Sequence, residues 1–377
     1  MLTVAMIGMG WHSWLFREEM KALLGDISIL HPRIVSYDIR QEEISKLSGA
    51  ALLDEVLILG GHSIFPESSE VQNSLCRTIG KWAIQNFEEG DFAVRTRKIG
   101  ELPDTISSRI FEDKVGRVVS SSGIRVNLES PSNEIVIIIA GSNDGDNHPE
   151  PFESEETIVI WGLRVNDWSK ENFSGRSPTE RPYFKPISLE PRQARLLISL
   201  SRVPNREIKA IVDPFCGTGG IVIEGALQDI RVLASDLDSR MVEGTKKNLK
   251  WVGKEGLVEK WDASDLSTLW GEREGCSFVF DPPYGRSSWK SVDSLDIFLS
   301  VLEEAKKIDS GGVVSTMLPA GPEALGSENN DDIIVMGIKW SELLERIQEL
   351  GWNVHLFCPV RVHRSLVRAI VVCHPAD

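Results

Sequence analysis

Short apolar runs alternate with amphipathic stretches along the second half of the chain, from about residue 191. The apolar runs predict strands at residues 210–213, 231–236, 258–262, 277–281 and 312–317. Helical spacing between them predicts helices at residues 191–200, 219–227, 239–251, 293–308 and 340–350. Such alternation is typical of a doubly wound α/β fold with a parallel sheet. Two final strands, 353–359 and 367–374, are too close in the chain for a crossover helix, so we expect them to pair antiparallel.

The first half of the chain has a less regular pattern, which predicts two further regions. Residues 1–60 combine apolar runs with helix-like stretches at 14–24 and 42–53, as in a small α/β, ferredoxin-like region. Residues 61–165 predict helices and strands in mixed order, at 70–86, 91–100, 105–115, 124–128, 134–140 and 157–162. A linker rich in Pro, Ser and charged residues, 166–190, leads into the α/β domain at 191–377.

Composition narrows the class of protein. The chain is 41% hydrophobic and 26% charged, as soluble globular proteins are, and no apolar run is long enough for a transmembrane helix. The first residues lack the basic start of a signal peptide. The five cysteines are scattered without a Cys-x-x-Cys pair, which argues against a zinc site or a disulfide framework. We therefore expect a cytoplasmic protein with no metal and no membrane association.

The formal net charge of −15 is unfavourable for binding nucleic acid, because Lys and Arg contacts to phosphate usually dominate that affinity. Charges are screened over about 8 Å at physiological salt, so a local basic patch can still act within an acidic protein. Residues 141–156 carry six acids and no Lys or Arg, and predict a solvated surface loop. A local patch is available in the region 61–165, where the basic residues are Arg95, Arg97, Lys98, Arg117 and Arg125. An alternative for Arg95 and Arg97 is a charged strand edge that prevents aggregation.

A glycine-rich turn follows the first strand of the α/β domain, in Ile-Val-Asp213-Pro214-Phe-Cys216-Gly217-Thr-Gly219-Gly. Glycines expose bare backbone to a ligand, and the following helix offers its N–H groups. Asp213, just before these glycines, suits a ligand with an ammonium group better than it suits a pyrophosphate. We interpret Pro214 and Cys216 as turn residues that line the same cofactor site.

Carboxylates also follow the next strands. Asp236 lies 23 residues after Asp213 and can accept hydrogen bonds from ribose hydroxyls. Asp262 can accept from an adenine amino group, and Asp281 ends the fourth strand. A single strand-end acid is more often a helix cap, but four in succession beside a glycine turn predict a binding edge. The ligand that this set fits is S-adenosylmethionine.

The fourth strand ends in Asp281-Pro282-Pro283-Tyr284, where two prolines make the chain turn rigidly beyond the strand. Asp281 and the Pro282 carbonyl can accept from an amino group, while the Tyr284 ring can stack on a flat base. We therefore predict that Asp281, Pro282, Pro283 and Tyr284 form a catalytic site for a base that carries an exocyclic amine. Arg364, on the turn of the final hairpin, is a further candidate for binding RNA phosphate.

These motifs together resemble the archaeal tRNA guanosine-10 N2-methyltransferase family. The resemblance rests on Asp-Pro-Phe-Cys-Gly-Thr-Gly-Gly, Asp-Pro-Pro-Tyr-Gly-Arg-Ser, the linker segment Arg-Pro-Tyr183-Phe-Lys-Pro and the late His-Arg-Ser-Leu-Val-Arg. Phe-Ala-Val-Arg-Thr-Arg-Lys-Ile-Gly, with Val-Asn-Leu-Glu-Ser-Pro, resembles a THUMP RNA-binding domain. The resemblance implies a Rossmann-like class I methyltransferase domain, preceded by an α+β region that contains THUMP, and places Tyr183 over the methionine end of the cofactor. It implies tRNA as the partner and a guanine N2 amine as the methyl acceptor.

Several alternatives stay open. The chain could methylate another tRNA guanine, rRNA or DNA adenine, or it could bind RNA without catalysis. A nicotinamide oxidoreductase is a third alternative, since strand–turn–helix motifs with glycines also bind dinucleotides. The sequence leaves open whether one or two methyl groups are added and whether a small activator subunit is needed; otherwise we expect a monomer.

Overall fold

The structure is a computed structural model that describes residues 1–8, 12–104, 106–141, 156–166, 168–186, 188–283, 292–325, 333–363 and 366–376. The chain forms two compact units. Unit 1 comprises Met1–Ser48 and Leu52–Lys170, and unit 2 comprises Gly49–Ala51 and Glu171–Asp377. Within the described ranges, no helix combines the length and hydropathy that a membrane span needs.

Unit 1 is built on one seven-stranded sheet. Its strands are β1 (Leu2–Gly8), β2 (Ser28–His31), β3 (Ile34–Ile39), β4 (Leu53–Ile64), β5 (Phe92–Ile99), β6 (Asn133–Ala140) and β7 (Ile158–Arg164). Its helices are α1 (Ser13–Leu24), α2 (Ser69–Asn86), α3 (Ser108–Ser120) and the 3₁₀ helix Gln41–Gly49. The strand order is β2-β3-β1-β4-β7-β6-β5, and β5 pairs parallel with β6 while the other neighbours are antiparallel.

The sequence of β6 explains why this sheet is covered on both faces. Ile135, Ile137 and Ile139 are buried in one apolar cluster, together with residues of α2 and α3. The intervening Val136 and Ile138 belong to a second cluster. Side chains alternate across a strand, so a continuous apolar run is stable only when both faces are buried.

Several elements of unit 1 differ from the sequence prediction. The stretch predicted as a helix at 42–53 is a 3₁₀ helix that ends at Gly49, and β4 begins at Leu53. The predicted strand at 124–128 is wrong, since only a single bridge between Val126 and Phe92 forms there. The predicted boundary at residue 60 falls inside β4, which pairs with β1 on one side and β7 on the other. The division into regions 1–60 and 61–165 stays a prediction, and most of the predicted acidic loop lies outside the described residues.

Unit 2 contains the alternating strands and helices. Its helices are α4 (Pro191–Leu200), α5 (Gly220–Leu227), α6 (Ser239–Trp251), α7 (Leu266–Trp270), α8 (Val292–Ile308) and α9 (Trp340–Glu349). Its strands are β8 (Ala210–Asp213), β9 (Arg231–Asp236), β10 (Leu257–Lys260), β11 (Cys276–Phe280), β12 (Val313–Ala320), β13 (Ile334–Val335), β14 (Ile338–Lys339), β15 (Trp352–His363) and β16 (Leu366–Pro375). Short 3₁₀ helices occur at Pro178–Glu180, Ala263–Asp265 and Pro322–Leu325.

The sheet of unit 2 confirms the predicted α/β class. Its order begins β10-β9-β8-β11-β12, with parallel pairing throughout, and β16 then adds antiparallel to β12 and β15 to β16. Every residue of β8 and β11 is buried, as expected for central parallel strands between two helical layers. This order brings the carboxyl ends of β10, β9, β8 and β11 side by side at one edge, where α/β folds bind ligands.

Candidate active site

A cavity of about 480 Å³ opens at the carboxyl ends of the parallel strands. Asp213 and Asp236 are the last residues of β8 and β9, Asp281 directly follows β11, and Asp262 lies just beyond β10. All four line this cavity. The structure therefore brings together the four acids that the sequence pattern selected, along with Pro214, Cys216, Gly217, Pro282 and Pro283.

The glycine turn shapes one wall of the cavity. Gly217 and Gly219 have φ values of 52° and 84°, a left-handed conformation that favours glycine. A Cβ on Gly219 would also lie 2.9 Å from the Thr245 side chain. Gly219 is the N-cap of α5, so the turn presents bare backbone at the start of a helix.

Asp213 is a buried carboxylate at the base of the turn, with 2% of its surface exposed. Its Oδ1 accepts a hydrogen bond from the Phe215 N–H at 3.1 Å. Burial raises the pKa of Asp213 well above its usual range, and the nearby charges of Asp236 and Asp281 add to the rise. A cationic group next to Asp213 would reverse this effect, so the site is suited to a ligand with an ammonium group.

Asp236 and Asp262 are held in different ways. Asp236 accepts from the Gly217 N–H at 3.0 Å and the Asp238 N–H at 2.9 Å, but burial still raises its pKa. Asp262 caps the 3₁₀ helix Ala263–Asp265 by accepting from the Ser264 N–H at 2.9 Å and from the Ser264 hydroxyl at 2.8 Å, and these two hydrogen bonds lower its pKa. Asp262 therefore serves as a helix cap and also lines the cavity.

Cys216 lies inside the turn and is 4% exposed. Burial raises the pKa of its thiol well above the usual value, and the carboxylates of Asp213 and Asp236 raise it further. Covalent catalysis by cysteine requires a thiolate, which this environment disfavours. Cys216 is therefore a structural residue of the turn that contributes to the cavity wall.

The Asp-Pro-Pro segment forms the other side of the cavity. Phe280, just before Asp281, packs edge-on against Phe215 with ring centroids 5.8 Å apart. Arg368 Nη1, from β16, donates to Asp281 Oδ2 at 3.0 Å. Pro282 is buried, while Pro283 is exposed at the cavity. Tyr284, predicted to stack on the base, lies outside the described residues.

The linker segment 171–190 is part of unit 2 and is held there by buried ion pairs. Glu224 of α5, 1% exposed, pairs with Arg176 at 2.7 Å and with Arg195 at 2.8 Å. Arg176 and Arg195 both also pair with Glu171. This network anchors the linker to α4 and α5, next to the glycine turn.

Tyr183 does not line the cavity. Its ring lies against Gly244 of α6, where a Cβ would approach it to 2.0 Å, and its hydroxyl lies 3.9 Å from Met241 Sδ. Met241 lines the cavity, as do Lys185 and Ser188 from the same linker segment. These two linker residues and Arg368 are not among the site residues predicted from the sequence. Lys185 could have been found from its place in the Arg-Pro-Tyr-Phe-Lys-Pro motif.

Comparisons with known proteins show which family this chain belongs to. Residues 178–327 match a family model for UPF0020, described as RMKL-like, methyltransferase domain. The tRNA (guanine(10)-N2)-dimethyltransferase of Methanothermobacter thermautotrophicus is 32% identical over 285 residues, which cover 74% of this chain and 72% of the relative. This chain belongs to the tRNA (guanine(10)-N2)-dimethyltransferase family.

A second relative and a solved structure extend the comparison. The tRNA (guanine(10)-N2)-dimethyltransferase of Pyrococcus abyssi is 30% identical, over 59% of this chain and 61% of the relative. The crystal structure of TrmN from Thermus thermophilus has the same fold, with a TM-score of 0.50 and 18% identity over 99% of both chains. The predicted class I methyltransferase fold is thus confirmed, and the chain is an enzyme whose cofactor is S-adenosylmethionine.

Five of the predicted RNA-binding residues of this methyltransferase lie in unit 1, and three of these five contact their own chain. Arg97 pairs with the buried carboxylate of Glu55 at 2.9 Å. Arg95 donates to the Leu128 carbonyl, and Lys98 to the Ile106 carbonyl. The other two, Arg117 at the end of α3 and Arg125, are exposed, and Arg364 lies outside the described residues. RNA binding by these residues stays a prediction.

Proposed function

We propose that this protein transfers a methyl group from S-adenosylmethionine to the exocyclic N2 amine of a guanosine in tRNA, at position 10 as in the names of its relatives. One observation carries the proposal. Asp281, followed by Pro282, lines the same cavity as Asp213, Asp236 and the glycine turn. A hydrogen-bond acceptor for an amine therefore shares the cavity with residues suited to the cofactor.

The residues that would hold the cofactor differ in role. The Asp213 carboxylate is suited to the ammonium group, and Asp236 to the ribose hydroxyls. Asp262 is suited to the adenine amino group, while the backbone around Gly217 and Gly219 would lie against the ligand. Pro214 and Cys216 shape this wall, and Tyr183 acts indirectly by supporting Met241.

The chemistry needs a methyl donor and an oriented amine. When bound, S-adenosylmethionine would supply an electrophilic methyl group on its sulfonium, and the demethylated cofactor would be a neutral thioether. The N2 atom of guanine is a poor nucleophile, because its lone pair is delocalised into the ring. Hydrogen bonds from the amine to Asp281 and the Pro282 carbonyl would hold the amine so that its lone pair is available for methyl transfer. Asp281 then accepts the N2 proton that is lost, so the product is neutral.

Orientation of the two reactants is one contribution that the protein can make to the rate. Fixing two reactants in a reactive geometry is worth up to roughly 7–11 kcal/mol. A paired guanine must first leave its stack, at a cost of a few kcal/mol. Stacking on Tyr284 would recover about 1–3 kcal/mol of that cost.

The partner is tRNA. Unit 1 contains the THUMP-like domain and supplies the surface that binds the tRNA. The exposed Arg117 and Arg125 are suited to phosphate contacts, with Arg95, Arg97, Lys98 and Arg364 as further candidates. We expect the protein to act in the cytoplasm as a monomer. Comparing the purified chain with and without cell extract determines whether a small activator subunit raises its activity.

The test is methyl transfer to unmodified tRNA. The purified protein is incubated with S-adenosylmethionine carrying a labelled methyl group, and the tRNA is digested and analysed by mass spectrometry. We expect N2-methylated guanosine at position 10, and the product mass distinguishes one methyl group from two. A methyl group on adenine N6, or transfer to rRNA or DNA but not to tRNA, would contradict the proposal.

A further inference from the structure

An arginine from the last strand contacts the proposed catalytic carboxylate. Arg368 lies on β16, and its Nη1 is 3.0 Å from Asp281 Oδ2. The two side chains are 8% and 16% exposed, so the pair is largely shielded from water. Arg368 also lines the cavity. Water screens an ion pair in such a place much less than one on the surface.

The position of Arg368 follows from the sheet order. β16 pairs antiparallel with β12, which puts Arg368 opposite Pro319, and β12 pairs parallel with β11. The strand that carries Arg368 is therefore two strands away from β11, which Asp281 directly follows. Arg368 Nη1 also lies 3.5 Å from Met317 Sδ on β12. The guanidinium thus reaches across β12 towards the end of β11.

The charges around Asp281 indicate what Arg368 contributes. Asp213, on β8, is close enough for its carboxylate to interact electrostatically with that of Asp281. Two neighbouring carboxylates in a shielded cavity disfavour each other's ionised form. Among the charged groups described around Asp281, the carboxylate of Asp213 repels that of Asp281. The guanidinium of Arg368, on β16, offsets this repulsion. Asp236, Asp262 and Lys185 line other parts of the same cavity.

We propose that Arg368 is a positioning residue that keeps Asp281 ionised and fixes the plane of its carboxylate, so that Asp281 receives the substrate amine as an oriented acceptor. This inference rests on the proposed function of Asp281. The guanidinium is planar and rigid, so the hydrogen bond from Arg368 Nη1 to Asp281 Oδ2 holds that oxygen in a fixed direction. Arg368 acts through Asp281 and takes no part in bonding to the cofactor.

The competing explanation is that the Arg368–Asp281 ion pair only stabilises the fold. Two measurements distinguish this explanation from a positioning role. The first is the pKa of Asp281 in the ligand-free protein, followed by NMR of ¹³C-labelled aspartate, with Asp281→Asn assigning the signal. The second is the pH profile of kcat at saturating tRNA and cofactor. An adjacent arginine lowers a carboxylate pKa by about 1–3 units, so Arg368→Met should raise the pKa of Asp281 and move the acid limb of kcat upwards by a similar amount.

The variants are chosen to separate charge from geometry. Arg368→Met should lower kcat on the order of 100-fold, the scale for a misplaced catalytic group, with cofactor affinity from calorimetry nearly unchanged. Arg368→Lys keeps the charge but loses the rigid, planar guanidinium that directs the hydrogen bond, so the acid limb should stay near its wild-type position while kcat still falls. The matched control is Arg346→Met, which breaks an exposed Arg–Glu pair on α9 and should change neither readout.

Removing a buried cation can impair folding, so a double variant completes the test. Asp281→Asn with Arg368→Met leaves no unpaired charge, and Arg368→Met should add little to the loss that Asp281→Asn alone causes. Independent, additive losses would overturn the proposal, as would an Asp281 pKa that is the same with and without Arg368. If the wild-type protein transfers no methyl group to tRNA, the proposed function fails. The NMR titration still determines whether Arg368 holds Asp281 ionised.

Discussion

The sequence predicts two sets of charged site residues, four acids in unit 2 and five basic residues in unit 1, and their surroundings in the structure differ. The four acids of unit 2 all line one cavity. Of the five basic residues predicted in unit 1, Arg97 pairs with Glu55, and Arg95 and Lys98 donate to backbone carbonyls. Strand-end residues converge because parallel strands end at a common edge, whereas basic residues in a strand can equally serve the fold that contains them.

Glu55 shows why the basic set is harder to interpret. It is 2% exposed and lies between Arg97 and Arg164, at 2.9 and 2.6 Å. Burial raises its pKa even though both arginines lower it. A buried carboxylate needs such partners, since an unpaired charge inside a protein is costly. Arg97 therefore already has a structural role, whatever it contributes to RNA binding.

The largest effect is expected at Asp281. Asp281→Asn should lower kcat by about 10²–10⁴-fold, the usual range for a residue that handles a proton, while S-adenosylmethionine still binds. Calorimetry for the cofactor and methyl transfer to tRNA measure the two effects. Asp229→Asn, which changes an exposed acid paired with Lys254, is the control and should retain full activity. Equal loss in both variants would remove the catalytic role from Asp281.

A smaller effect is expected when Asp213 becomes Asn. Asp213→Asn removes the charged acceptor for the ammonium group of the cofactor, so cofactor binding should weaken about 10- to 100-fold. Because burial raises the pKa of Asp213, the folded wild-type protein loses stability as pH rises from the ordinary range of aspartate through this raised pKa. Asp213→Asn should therefore be more stable than wild type at neutral pH without ligand, and the difference should vanish in acid.

Thermal unfolding at several pH values measures this difference in stability between Asp213→Asn and wild type. For Asp262 we expect a pH dependence of stability with the opposite sign. Hydrogen bonds lower the pKa of Asp262, so its contribution to stability is present above its ordinary pKa range and is lost as pH falls. Asp262→Ala should be less stable than wild type at neutral pH. If both variants shift stability in the same direction, the assigned environments are wrong.

The glycine turn gives a third comparison. Gly219→Ala puts a side chain at φ 84°, which costs about 1–2 kcal/mol, and its Cβ would also meet Thr245. Gly253 has a similar φ of 68°, and a Cβ there would have no neighbour within 4 Å among the described residues, so Gly253→Ala carries the backbone cost alone. Cofactor affinity should fall in the first variant and stay unchanged in the second. Equal cofactor affinity in both would mean that the turn does not contact the ligand.

The smallest effects are expected in unit 1. Arg117→Gln and Arg125→Gln should each weaken tRNA binding a few-fold and lower the salt dependence by about one phosphate contact. Arg97→Gln should lower the free energy of unfolding more than either of them, because Glu55 loses a partner. Fluorescence anisotropy at several salt concentrations and urea unfolding measure the two quantities. Unchanged tRNA affinity in both surface variants would contradict the predicted patch.

Much of the catalytic unit could be predicted from sequence, and the reasons are local. The predicted bounds of α4, β8, β9 and α6 agree with the structure, since each has strong periodicity and a clear start or end signal. Unit 1 was harder, because its apolar runs do not show which strands become neighbours. Strand β4 illustrates this, since it continues across the boundary expected at residue 60.

Local spacing in the chain was sufficient to select Asp213, Asp236, Asp262 and Asp281, because each of these acids follows an apolar run in the sequence. The glycines that follow Asp213 are visible in the same way. The convergence of the four acids on one cavity, and the contact of Arg368 with Asp281 across 87 positions of sequence, depend on strand order in the sheet. The same holds for Glu55, which engages Arg97 in unit 1. Hydrophobic periodicity predicts an element and its buried face, but contacts between distant side chains arise only when strands pack into a sheet.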